Sequence, residues 1–178
     1  MIRKRRRLSL TNYKKRIALL KSGLPRLVIR KSNRSVVLQI AEYDQKGDKI
    51  LASANSHMLE KYDWEPRANR PTAYLTGLLL AKKCKDLKLG DVILDLGLYK
   101  PIKNSLIFAA AKGAQDGGIK LKGSIEVDEK LINGEYIEKY AKSLDDNKFK
   151  KQFGYNKIDP KNITDAFAHT KEKLMVVN

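Results

Sequence analysis

The 178-residue chain is 42% hydrophobic, enough for one core with an appendage but not for two full domains. Its 37 lysines and arginines against 20 acids leave a formal net charge of +17, which points to a polyanionic partner. No apolar run approaches the roughly 20 residues that span a bilayer and no signal-peptide core opens the chain. The single cysteine, Cys84, excludes an intramolecular disulfide and a cysteine zinc cluster, so a soluble intracellular protein in a reducing compartment is expected.

The charge is polarised along the chain. Residues 1–41 hold 13 Lys/Arg and no acid, residues 42–123 hold 14 basic and 10 acidic side chains, and residues 124–178 hold 10 of each. A cluster such as Arg3-Lys4-Arg5-Arg6-Arg7, taken alone, reads as readily as a solvated face or disordered tail as it does as an anion-binding run, and a nuclear-localisation signal has the same pattern. The bias, however, continues through Lys14, Lys15, Arg16, Lys21, Arg26, Arg30, Lys31 and Arg34, in segments with the patterns of folded elements. Like charges on a folded surface repel, so an anionic partner is expected to offset them.

Residues 1–8 read as an extended basic arm. A helix is predicted over 9–22, capped by Ser9 or Thr11, with Leu10, Tyr13, Ile17 and Leu20 on one face and Gly23 and Pro25 ending it. Alternating, β-branched segments over 26–32 and 35–43, with a turn at Asn33, then 49–53 after the turn Asp44-Gln45-Lys46-Gly47-Asp48, predict an antiparallel meander. In the first of these, Arg26, Val28 and Arg30 fall on one side and Leu27, Ile29 and Lys31 on the other. Residues 57–70 read as loop. A helix from Pro71 to about Leu87 is followed by the apolar run 92–96, of the kind found in a strand covered on both faces. Ser105 caps a helix over 106–115, and Gly117-Gly118 terminates it. The fold class is therefore α/β, a mixed sheet of β-β-β-α-β-α order in which the fourth strand returns parallel. This order is shared with ribonuclease-H-like folds. The expected organisation is an arm and helix over 1–23, a core over 24–123 and an extension over 124–178 with helices at 134–144 and 162–174.

Catalytic chemistry is thin. His57 and His169 lack ligand-type residues at metal spacing, and P-loop, GxGxxG and Ser/His/Asp signatures are absent. A ribonuclease-H-like nuclease needs converging carboxylates for two metal ions. Asp95 could supply one, but the first strand carries arginines where its partner would stand, so Asp95 reads as a structural residue bonded to backbone near the Gly97 turn. Cys84 reads as a packing residue, and Trp64 either as a base-stacking platform or as cover for a local apolar patch. The loop 97–105 brings Lys100 and Lys103 to the start of the 106–115 helix, either as an anion site or as an ordinary connection. No enzyme activity, cofactor or metal is expected.

Several blocks resemble one family in the same order: Tyr13-Lys14-Lys15-Arg16, the run from Leu19 through Gly23-Leu24-Pro25-Arg26 to Asn33, Ala73 to Leu79, Leu94-Asp95-Leu96-Gly97-Leu98, and Phe108 to Ala114 with Asp116-Gly117-Gly118. They resemble the universal large-subunit ribosomal protein that binds 5S rRNA, conventionally numbered eighteen, in its archaeal form. The tail, through Ile132 to Ile137 and Asp159-Pro160, is similar to the archaeal and eukaryotic type. The resemblance implies a non-catalytic role in the cytoplasmic ribosome, anchoring 5S rRNA to large-subunit rRNA at the central protuberance beside neighbouring ribosomal proteins and away from membranes. It also implies RNA contacts from Arg3, Lys4, Arg5, Arg6, Arg7, Tyr13, Arg16, Arg26, Arg30, Lys31, Ser32 and Asn33, with Lys100, Lys103 and Ser105 beside them. At Asn104 the chain departs from the glycine expected there, and asparagine tolerates left-handed backbone.

Overall fold

A computed structural model describes residues 7–176. Arg3, Lys4, Arg5 and Arg6, and with them most of the expected arm, lie outside the described residues. The first helix, α1, spans Tyr13–Leu20 and is shorter than the 9–22 expected. Ser9 adopts φ 51°, which breaks a helix, and the cap is Asn12, whose side chain accepts the Lys15 N–H at 3.0 Å. No residue of α1 is buried. The face expected to pack is open, with Leu10 at 53% and Ile17 at 55% exposure.

The meander forms as β1 (Arg26–Lys31), β2 (Val36–Glu42) and β3 (Lys49–Asn55). Residues 57–70 are not wholly loop, because Asn55 caps a 3-10 helix over Ser56–Tyr62. Helix α2 (Arg70–Lys83) starts one residue before Pro71, with Asn69 accepting the Thr72 N–H at 3.0 Å. Strand β4 (Ile93–Asp95) then pairs parallel with β1, Leu27 opposite Leu94 and Val28 opposite Asp95. The four-stranded sheet is therefore mixed, in the order β3-β2-β1-β4. This corrects the expectation that β4 is covered on both faces: it is an edge strand, with Ile93 and Leu94 only half-buried. Just before it, Val92 bridges to Leu121.

Helix α3 (Leu106–Asp116) lies against α2 at backbone distance. A Cβ on Gly77 would stand 2.2 Å from the Ala110 carbonyl oxygen, and one on Gly113 would stand 2.1 Å from that of Tyr74. These two glycines let the helices share one layer over the sheet. That layer buries Leu27, Ile29, Leu38 and Ile40 completely.

Four helices follow: α4 (Glu129–Ile132), α5 (Glu135–Lys142), α6 (Asp146–Phe153) and α7 (Ile163–Met175). Phe167 of α7 packs its ring 5.7 Å from Tyr74 and 6.3 Å from Trp64. Trp64 is buried, and its Nε1 donates to Thr72 Oγ1 at 2.9 Å. It covers apolar surface and is not available as a stacking platform. Cys84 is buried against the core, and burial pushes its thiol pKa up.

Candidate nucleic-acid interface

The helical layer occupies one face of the sheet, and the arginines of β1 turn to the other. There Arg26, expected among the RNA contacts, is 1% exposed, so that reading is corrected. Its charge is already matched within the protein. Nη1 donates to Asp95 Oδ2 at 3.0 Å, and Nη2 lies 2.7 Å from Asp48 Oδ2. A buried guanidinium requires such partners, because an unpaired charge in the interior is prohibitively unfavourable.

The pairing continues outward on both sides. Arg16 of α1 donates from Nη2 to both Asp48 oxygens, at 3.0 and 2.9 Å. At the other end Arg30 Nη2 donates to Asp95 Oδ1 at 3.5 Å, and its Nη1 donates to the carbonyls of Ile29 at 2.8 Å and Asp95 at 3.1 Å. The result is a row, Arg16–Asp48–Arg26–Asp95–Arg30, running from α1 across the sheet to the turn after β4. Burial pushes the Asp48 carboxyl up, but the hydrogen bonds and charges of Arg26 and Arg16 outweigh it and hold the group below its ordinary range.

Asp95 does bond to the backbone near Gly97, accepting that residue's N–H at 2.8 Å. Gly97 has φ 59°, a conformation that favours glycine, and a Cβ there would press on the Arg30 guanidinium carbon at 3.0 Å. Where a two-metal nuclease would gather carboxylates, Asp95 faces two guanidiniums. Among the described residues no cluster of three or more His, Cys, Asp or Glu stands together as a metal site.

Between α1 and the β4 turn lies a groove of about 950 Å³, whose walls include Tyr13, Arg16, Arg30, Leu96, Leu98 and Tyr99. Tyr99 donates its hydroxyl to the Lys31 carbonyl at 3.1 Å, and the Lys31 ammonium sits 5.8 Å from its ring centroid. Lys31, Ser32 and Asn33 are exposed on the β1–β2 turn, where Ser32 Oγ accepts the Ser35 N–H at 3.0 Å. Lys100 and Lys103 are exposed in the loop that also exposes Leu98 at 57% and Ile102 at 62%. Ser105 is engaged as the α3 cap, accepting the Phe108 N–H at 3.4 Å. Asn104 takes φ 59°, and its side chain accepts the Asp128 N–H at 3.0 Å, tying the loop to the C-terminal segment. Tyr13, Arg16 and Arg30 thus reach solvent at the groove together with the turn residues, and Arg7 is exposed.

Residues 1–92 match the family described as ribosomal large subunit proteins 60S L5 and 50S L18. The chain belongs to this family. Among its relatives, the large ribosomal subunit protein uL18 of Thermofilum pendens is 42% identical over 181 residues, covering 96% of this chain and 92% of the relative. The similarity therefore extends through the C-terminal helices, beyond the matched N-terminal half. A large-subunit ribosomal protein of this family is structural rather than catalytic, and its place is the ribosome, within a ribonucleoprotein of rRNA and other ribosomal proteins in the cytoplasm. No helix among the described residues is long and apolar enough to cross a membrane.

The blocks that carried the resemblance fall on structural junctions. Residues 73–79 and 108–114 hold the close α2–α3 contact through Gly77 and Gly113. Residues 94–98 form the turn that seats Arg30. Sequence reasoning missed Asp48, which it took only as part of a turn, and it missed the closeness of Gly97 to Arg30. Asp48 is the third acid after the basic segment, behind Glu42 and Asp44, and nothing local shows that it, rather than they, folds back onto Arg16 and Arg26.

Proposed function

We propose that this protein binds 5S rRNA and helps attach it to large-subunit rRNA at the central protuberance, flanked there by neighbouring large-subunit proteins. The observation that carries the reading is charge polarity. The first 41 residues have 13 cations and no acid, and two acids that line the groove, Asp48 and Asp95, are already paired with arginines. The face around the groove is therefore cationic, with aromatic side chains set between the charges. RNA helices are recognised by shape and by phosphate and 2′-OH contacts, and loops by stacking and base-edge bonds. In this reading Arg3, Lys4, Arg5, Arg6 and Arg7 neutralise phosphates together with Arg16, Arg30 and Lys31. Tyr13 stacks or bonds to sugar, and Ser32 and Asn33 approach from the turn tip. Lys100 and Lys103 add an anion contact beside the N-terminus of α3, where Ser105 caps.

Two finer points belong to the same proposal. The strand and helix order supports kinship with the ribonuclease-H-like folds of the translational machinery. The division into arm and helix (1–23), core (24–123) and extension (124–178) assigns RNA contact mainly to the first two. Filter binding to 5S rRNA over a salt series tests the reading. With about eight phosphates neutralised, log K falls with log salt at a slope of roughly −6. Equal affinity for random single-stranded RNA, or salt-independent binding, refutes it.

A further inference from the structure

We infer that Asp48 and Asp95, although acidic, strengthen RNA binding, because they hold the guanidiniums of Arg16 and Arg30 in place on the two walls of the groove. The inference rests on the reading that this face binds RNA. The two aspartates line the groove themselves and act in this inference as positioning residues.

The geometry carries the argument. Arg30 is held by the Ile29 carbonyl, the Asp95 carbonyl and the Asp95 carboxylate, with Gly97 leaving the space for its guanidinium. Arg16 is held by both oxygens of Asp48. The side chains of Arg30 and Arg16 nevertheless keep 46% and 36% exposure, so donor edges remain open to the groove. Arginine has many rotamers, and fixing them before binding removes an ordering penalty that a loose side chain pays on contact. The planar fork then presents donors in a geometry suited to phosphate. Arg26 completes the device. Buried between the two carboxylates, it keeps them from repelling each other and fixes their spacing.

Simple electrostatics makes the opposite prediction, which is what makes the inference testable. Replacing either aspartate by asparagine adds one positive charge to the protein and should tighten RNA binding. That gain acts through solvent and is screened over about 10 Å at 0.1 M salt. The loss of an aligned arginine is local and is not screened away, so the loss is expected to prevail.

The experiment is filter binding of the full chain to 5S rRNA across a salt series, for wild type, Asp48→Asn and Asp95→Asn, with a thermal melt of each. Each variant leaves Arg26 one carboxylate partner, so a native melt is expected. Binding weakens about 5- to 10-fold, and the salt slope becomes shallower by about one, as for loss of one phosphate contact. In the Asp95→Asn background, Arg30→Lys costs less affinity than it does in wild type, since the alignment is already gone. Equal or tighter binding by a natively melting variant overturns the inference, as does loss of the native melt in both, which makes the network purely structural. Failure of the wild type to bind with salt dependence overturns the RNA reading itself and is distinguished by that control.

Discussion

Replacing Gly77 by alanine sets two effects of opposite sign against each other. Helix propensity favours alanine by about 1 kcal/mol in a helix interior. The new Cβ, however, would stand 2.2 Å from the Ala110 carbonyl oxygen and 2.6 Å from the Ala114 backbone nitrogen, where ordinary contact begins near 3.4 Å. Both obstacles are backbone, so no side chain can turn aside, and α2 and α3 must separate by roughly 1 Å. That opens the seam around Ala109, Ala110 and Ala114, all fully buried. Overpacking of this kind costs about 1–3 kcal/mol or more, and rigid obstacles put Gly77 at the upper end. The expected net loss is about 2 kcal/mol, which lowers the melting temperature by roughly 4–8 °C for a chain of this size. Thermal unfolding of the RNA-free protein, followed by far-ultraviolet circular dichroism, measures it. Gly90, with nothing within 4 Å of a built Cβ, serves as the control site. A melting temperature equal to or above wild type for Gly77→Ala would show that the close approach does not constrain the helices.

Other outcomes follow from the same structure. Arg26→Met leaves Asp48 and Asp95 each with a single outer arginine, and urea denaturation should show a loss of about 3 kcal/mol; an unchanged midpoint would mean the row does not depend on its centre. Phe167→Ala removes the ring between Trp64 and Tyr74, with an expected loss of about 3–5 kcal/mol and a red shift of emission from the sole tryptophan; unshifted emission would place α7 elsewhere. Asp48 is held below its ordinary range once the two arginines outweigh burial, and Glu138 is lowered by hydrogen bonds from Lys142 and Thr164. A depressed carboxyl contributes stability above its unfolded pKa of about 4 and loses it as pH falls through the folded value. Stability should therefore fall as the pH is taken below about 5, and a melting temperature that stays flat on acidification would contradict the pairing.

The order of elements was legible because its signals are local. Alternation, turn residues and the Ser105 cap each act within a few residues, and they placed β1 to β3, α2, β4 and α3 to within a few positions. What failed depended on what lies across a face. Alternation correctly set Arg26 opposite Leu27, but a period of two does not say whether that second face is covered, and at Arg26 it is. The apolar run 92–96 resembled a doubly covered strand, although its hydrophobicity serves only one side of an edge. Helix α1 has an amphipathic pattern with no core beneath it, and α6, with Phe149 and Phe153 among lysines, has too little apolar content to be recognised. At the candidate interface, the exposed cations were readable from composition alone, whereas their acidic partners, Asp48 in a turn and Asp95 at the end of β4, are brought near only by tertiary folding.

The arginine row also orders events in time. Arg26, Asp48 and the meander leave the peptidyl-transferase centre early, but Asp95 is made 69 residues after Arg26. Until β4 emerges and pairs with β1, Arg26 has at most one of its two carboxylates, and the sheet lacks its fourth strand. Such long-range parallel pairing forms slowly, because a large loop must close before any contact rewards it. A nascent chain halted before residue 95 therefore displays an arginine short of one carboxylate partner and an open β1 edge to whatever surrounds it, and closure of the row marks the point at which the new protein stops being a template for mispairing.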